Sequence, residues 1–116
     1  MNRYELEKFI LEAYGVKPDH PWENIPDGAV FRHQSNNKWF ALIMQIKFKN
    51  LGFESDEPVW AVNLKAENVE AITDKKSIFP AYHMNKKYWI TVLLTAVTDF
   101  EKLCELTKKS FALVQK

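Results

Sequence analysis

The stretch Lys38-Trp39-Phe40-Ala41-Leu42-Ile43-Met44-Gln45-Ile46-Lys47 decides how the chain is built. From Trp39 to Met44 the side chains are apolar without a break. A strand with one face in water alternates apolar and polar residues, whereas a strand covered on both faces does not. The run therefore predicts a central strand with a helix over one face. Upstream, Ala29 to His33 reads as its hairpin partner across an Asn36-Asn37 turn. Downstream, Asn50 to Pro58 is a loop pinned by Phe53, and Trp60 to Leu64 is a third strand. A short helix follows around Glu67 to Thr73, with Val69 and Ile72 as its buried contacts. Tyr88 to Leu93 is the clearest strand of the second half. Together with the apolar run from Ile78, and across the polar Asn85-Lys86-Lys87, it forms a second hairpin.

Helices bracket these strands. From Asn2 to Tyr14, Leu6, Phe9, Ile10, Ala13 and Tyr14 recur at offsets of three and four and make one apolar stripe. Asn2 caps it, Glu5 suits the reciprocal capping-box position, and Gly15 ends it, because a left-handed residue is cheapest without a Cβ. Between Gly15 and Gly28, Pro18, Pro21 and Pro26 oppose both helix and sheet interior, so this is an ordered loop anchored by Trp22. At the other end Thr98 and Glu101 form a capping box, and Phe100, Leu103, Cys104, Thr107, Phe111 and Val114 share a helical face. The order predicts a single α+β domain over residues 1–116. It is a two-layer sandwich, a mainly antiparallel sheet with N- and C-terminal helices packed on one face.

With 116 residues, one domain is the economical reading. A hydrophobic share of 47% gives enough apolar material for a core and argues against disorder. Sixteen basic against fifteen acidic side chains leave a formal charge of +1, so no whole-molecule field draws the chain to nucleic acid or anionic lipid. Any such role must come from local clustering. One cysteine, Cys104, cannot form an internal disulfide. Neither a secretory leader nor an apolar run of membrane-spanning length is recognisable, and a cytoplasmic protein without a membrane partner is expected.

Most chemistry is disfavoured by spacing. His20, His33 and His83 have no short metal-ligand separation among themselves or to Cys104, so neither a metal nor another cofactor is expected. Cys104 falls on the apolar stripe of the last helix, the opposite of the exposed electropositive setting a reactive thiolate needs. Ser35, Ser55, Ser77 and Ser110 lack the glycine-flanked turn of a nucleophile elbow. The only glycines are Gly15, Gly28 and Gly52, too few and too dispersed for a phosphate-cradling loop. Carboxylate pairs such as Glu5/Glu12 and Glu101/Glu105 have the spacing of solvated helix faces. Lys108, Lys109 and Lys116 complement the dipole at the end of the last helix without needing a ligand.

What remains is the segment from Lys75 to Trp89. Lys75, Lys76, Lys86 and Lys87 accompany Phe79, Tyr82, His83, Tyr88 and Trp89, with Asp74 beside them. Lysines neutralise phosphates while aromatic rings stack on exposed bases, so a hairpin presenting both suits nucleic acid. Read structurally, the same residues are core aromatics and a solubilising hairpin tip, with His83 and Asn85 shaping the turn.

The run Pro80-Ala81-Tyr82-His83-Met84-Asn85-Lys86-Lys87-Tyr88-Trp89-Ile90-Thr91-Val92 resembles the signature of the MmcQ/YjbR family of small bacterial proteins. There a His, an aliphatic residue, Asn and Lys precede a Trp and a Thr-Val strand. Pro21-Trp22, Lys38-Trp39-Phe40-Ala41-Leu42, Val62-Asn63-Leu64-Lys65 and Ser110-Phe111-Ala112-Leu113-Val114 extend the match over nearly the whole chain. The resemblance implies a compact α+β fold of the frataxin-like or double-wing kind. It also implies a DNA-binding label given on structural likeness, with no agreed catalytic residues. The chain departs from the pattern after Thr91-Val92, where a glycine-containing turn is common. Leu94-Thr95-Ala96-Val97-Thr98 has no glycine, which argues against a tight turn there.

The leading expectation is a non-enzymatic, monomeric DNA-binding module of modest affinity and little sequence preference. Lys86 and Lys87 would contact phosphates, His83 and Asn85 would make polar contacts, and Lys75 and Lys76 would extend the footprint. The alternative is a small-ligand or protein-binding domain in which Trp39, Trp60, Tyr82 and Trp89 line a cleft and His83 is its polar handle. An enzyme using His83 as acid or base would need a second titratable group within reach, and the sequence shows none.

Overall fold

A computed structural model of the protein describes residues 2–96 and 99–115. Helix α1 (Arg3–Tyr14) starts where the Asn2 side chain accepts a hydrogen bond from the Glu5 amide, and stops at Gly15, whose φ of 68° is left-handed. Leu6 and Ile10 are fully buried, while Ala13 of the expected stripe stays exposed. Five strands follow in chain order: β1 (Ala29–Arg32), β2 (Trp39–Lys47), β3 (Pro58–Lys65), β4 (Ile78–Pro80) and β5 (Trp89–Leu93). They form one open sheet in the order β1-β2-β3-β5-β4, with every pairing antiparallel. The four-residue helix α2 (Val69–Ile72) connects β3 to β4, and α3 (Phe100–Val114) closes the chain. The expected α+β architecture is the one observed.

Strand β2 is interior, between β1 and β3, and its continuous apolar run faces two different coverings. Ala41 and Ile43 pack under Leu6, Ile10, Leu103 and Val114 of the helices. Leu42, Met44 and Ile46 pack on the other face with Val59, Ala61, Phe79 and Leu93, where Trp22, Tyr82 and Met84 from loops and Phe48 and Leu51 from a single 3-10 turn (Phe48–Leu51) close over them. One face is thus covered by helices and the other by loop aromatics. The Trp22 anchor explains Gly28: a Cβ there would sit 3.0 Å from the indole.

Between Arg32 and Phe31 the β1–β2 register skips Phe40, a bulge that puts Phe40 beside Ala41 on the helix side. At this bulge α3 supplies a partner for the Phe40 carbonyl. The Ser110 hydroxyl donates to the Phe40 carbonyl (2.5 Å) and accepts from the Lys65 amide (2.8 Å). A single buried hydroxyl therefore ties the last helix to two strands and satisfies two groups that would each be costly to leave unpaired.

Two expectations at the ends of elements change. The cap of α3 is Asp99, whose carboxylate accepts from the Glu101 and Lys102 amides; Thr98, the expected cap, lies outside the described residues. After β5 a tight turn does form, with the Ala96 amide donating to the Leu93 carbonyl. No described residue of that turn has positive φ. The absence of glycine is compatible with the turn because none of its residues needs a positive φ.

Candidate functional site

The signature segment forms the β4–β5 hairpin and the connection between its strands, residues 81–88. That connection is held from below. Asn63 on β3 and Thr91 on β5 are adjacent across the ladder and both fully buried. The Asn63 amide donates to the Tyr82 carbonyl (2.9 Å), the Tyr82 amide donates to the Thr91 hydroxyl (2.9 Å), and that hydroxyl donates to the Asn63 side-chain oxygen (2.6 Å). Every polar atom in this closed ring has a partner, which fixes the loop while leaving no buried group unsatisfied. Two of the family-like matches, Asn63 and Thr91, thus act beneath the loop rather than on its surface.

Above this anchor the chain turns through His83, at a φ of 66°. Its ring is exposed and lies 3.8 Å from that of Tyr82, and no carboxylate or hydroxyl is hydrogen-bonded to it among the described residues. Asn85 shapes the next turn. Its side-chain oxygen accepts from the Lys87 amide (2.8 Å), and its carbonyl accepts from the Tyr88 and Trp89 amides. Lys86 and Lys87 project from this turn into solvent, and the Lys87 ammonium lies 5.6 Å from the centre of the Tyr88 ring. Tyr88 is 48% exposed. The two lysines and Tyr88 line one side of an open recess whose other side carries Glu67 and Glu70. No ion pair joins these groups among the described residues.

Lys75 and Lys76 are not part of this surface. They precede β4, whereas Lys86 and Lys87 precede β5, and the two strands run antiparallel. From Ser77, bonded to Leu93, to Ala81, bonded to Trp89, the ladder extends roughly 13 Å at the usual strand rise. The two lysine pairs therefore stand at opposite ends of the hairpin. Lys75 has positive φ, 56°, and its turn is built on Asp74. The Asp74 carboxylate accepts from the Lys76, Ser77 and Ile78 amides and from the Ser77 hydroxyl. Burial pushes its pKa up, but those donors outweigh it and hold the carboxyl well below the usual range.

The aromatic cleft expected near His83 does not form. Trp60 packs on the helix face, with the Arg3 guanidinium 4.4 Å from its ring, whereas Trp39 and Tyr82 pack on the opposite face of the sheet. Strand alternation separates them: Trp60 shares parity with Val62 and Leu64, and the bulge at Phe40 sends Trp39 to the other side. The three histidines and Cys104 are likewise apart. His20 bonds the Gly28 carbonyl, and His33 is buried against Phe111 with Nδ1 accepting from the Ser35 amide. Cys104 is buried on α3, where burial pushes its thiol pKa up.

Sequence reasoning missed a second stripe on α3. Leu106, Lys109 and Leu113 lie at offsets of three and four, beside the buried face of Leu103, Thr107, Ser110 and Val114. Leu106 and Leu113 are half-buried and, with Lys65, Ala71 and Ile72, line a groove of about 480 Å³ between α2 and α3. The signal was two leucines seven residues apart that the main stripe did not use.

The class defined by this open antiparallel sheet, its helical layer and its anchored loop is a small α+β domain of the YjbR kind. The chain belongs to the YjbR family, whose model matches residues 11–113. It is 34% identical to the uncharacterized protein YyaQ of Bacillus subtilis (strain 168), over 99% of both chains. A crystal structure of a Pseudomonas syringae protein, 43% identical, superposes with a TM-score of 0.94 over 99% of this chain and 100% of that one. The Deinococcus radiodurans protein DR2400, with the domain DUF419, is 26% identical, with a TM-score of 0.72 over 97% of this chain and 78% of its own. No helix among the described residues is long and apolar enough to cross a membrane.

Proposed function

We propose that the chain is a non-enzymatic binding module and that the loop of residues 83–88 meets nucleic acid. The observation that carries this reading is the exposed Tyr88 ring beside Lys86 and Lys87, on a backbone held in place by the Asn63–Thr91–Tyr82 ring of hydrogen bonds. An exposed ring offers a stacking surface to an unpaired base, and adjacent ammonium groups neutralise the flanking phosphates. His83 and Asn85 lie on the same loop, although the Asn85 side chain is already engaged in its turn. Glu67 and Glu70 across the recess oppose a polyanion, which keeps affinity modest and strongly salt-dependent. Single strands are the preferred form, because duplex bases are not available to a lone ring.

The test is a titration with random-sequence single-stranded and duplex DNA at two salt concentrations. Lys86→Glu together with Lys87→Glu is expected to weaken binding about tenfold or more and to reduce the salt slope by about two. Lys75→Glu with Lys76→Glu, at the far end of the hairpin, is expected to change affinity far less. Binding that ignores the first pair overturns the assignment of this loop.

A further inference from the structure

The groove between α2 and α3 meets the recess of that reading at Glu67, Asn68 and Ala71 but contains none of Lys86, Lys87 and Tyr88, and its chemistry is different. Helix α2 is four residues long, too short to cover the outer flank of α3, and Ala71 and Ala112 have no bulk to fill the space that remains. Ile72, Leu106 and Leu113 are therefore left half-buried around a concavity of about 480 Å³ with a mostly apolar lining. Such a volume lies within the range of about 300–1,000 Å³ usual for small-ligand sites. Its charges are unbalanced: Lys65 and Lys109 line it, against Glu67 as the one carboxylate among the described lining residues.

We infer that this groove binds a small amphiphilic anion, an apolar body carrying one carboxylate or sulfonate. The apolar body covers Ile72, Leu106 and Leu113, and the head group sits against Lys65 and Lys109. Burying apolar area supplies the affinity, and the two ammonium groups supply the sign preference. An ammonium head of equal chain length meets the same apolar surface but a repulsive rim, so charge alone separates the two ligands.

The probes are octanoate and octylammonium, followed by amide shifts in proton–nitrogen correlation spectra of the whole chain. Anilinonaphthalene sulfonate fluorescence reports competition. Octanoate is expected to saturate, to shift amides within 66–72 and 106–113, and to displace the dye, while octylammonium binds at least about tenfold more weakly. Lys65→Glu with Lys109→Glu, at partly or fully exposed side chains, is expected to reverse that preference with the thermal midpoint little changed. Lys86→Glu with Lys87→Glu is expected to leave octanoate binding intact, so failure here is separable from failure of the nucleic-acid reading. Equal binding of the two probes, shifts centred elsewhere, a preference unmoved by the Lys65 and Lys109 changes, or line broadening from self-association would each overturn the inference.

Discussion

Asp74-Lys75-Lys76-Ser77 and Asn85-Lys86-Lys87-Tyr88 are two versions of one device, placed at opposite ends of the same hairpin. In each, a short polar side chain accepts the backbone amide two residues on, at 2.8 Å, and a Lys-Lys pair rides on the turn so formed. The first acceptor is a carboxylate, which adds the Ser77 and Ile78 amides and the Ser77 hydroxyl to its partners and cancels one of the two lysine charges. The second is an amide, which leaves both charges uncompensated within the turn, and the next residue is an exposed tyrosine rather than a serine. Both turns use the polar side chain on their own backbone, but only the first sets a negative charge against its lysines. The difference also lies beneath them, since the 81–88 connection is tied through Tyr82 to buried Asn63 and Thr91.

The sharpest way to break this contrast is from below. Asn63→Ala takes the acceptor from the Thr91 hydroxyl proton and the donor from the Tyr82 carbonyl, while the hydroxyl still accepts from the Tyr82 amide, and it opens a small void. The expected loss is about 3 kcal/mol, from two groups at about 1–3 kcal/mol each with partial relaxation. Chemical denaturation measures the loss. Hydrogen exchange locates it, with faster exchange expected at Tyr82 and Lys87 and little change at Ser77 and Ile78. Equal acceleration at both turns would mean that the buried ring supports the whole hairpin rather than one end.

A smaller effect is expected at the other turn. Asp74→Ala removes the acceptor of four hydrogen bonds, but the side chain is exposed, so water and screening reduce the cost to about 1 kcal/mol. The sign of its pH dependence follows from the direction of the shift. A carboxyl held below its ordinary value contributes stability that is complete above about pH 4, the unfolded value, and lost as pH falls through the folded one. Urea denaturation at pH 7 and pH 3 is expected to show the wild type losing more in acid than Asp74→Asn. The matching change at Asn85, which has no carboxyl to protonate, is expected to leave the acid limb unaltered.

How much of this was legible in the sequence depends on the range of the interaction. The strand in Trp39–Met44 and the Asn2 cap rest on local patterning, and both are found. The bulge at Phe40 is invisible in an unbroken apolar run, because every register of such a run looks buried; only the Ser110 hydroxyl arriving from α3 marks it. The separation of the two lysine pairs was within reach: a strand lying between Lys76 and Lys86 in a hairpin must carry them to opposite ends. The four lysines make one footprint by composition, but the direction of the chain divides them. Asn63 and Thr91 belong to the family-like pattern, yet their meeting across β3 and β5 depends on a non-sequential neighbour that only the strand order reveals.

Asn85→Asp tests the contrast most gently, by giving the second turn the acceptor of the first. Aspartate is nearly the same size and accepts the Lys87 amide at least as well, so stability is expected to move by no more than about 0.5 kcal/mol at neutral pH. The fold, the Tyr88 exposure and both lysines stay, and only the charge of the turn falls by one. If the loop meets nucleic acid through its electrostatics, affinity for single-stranded DNA is expected to fall a few-fold at low salt and to converge with the wild type as salt rises. A loss that persists unchanged at high salt would instead point to a direct contact of the Asn85 amide with the ligand, and would move the recognition from the lysines to the turn itself.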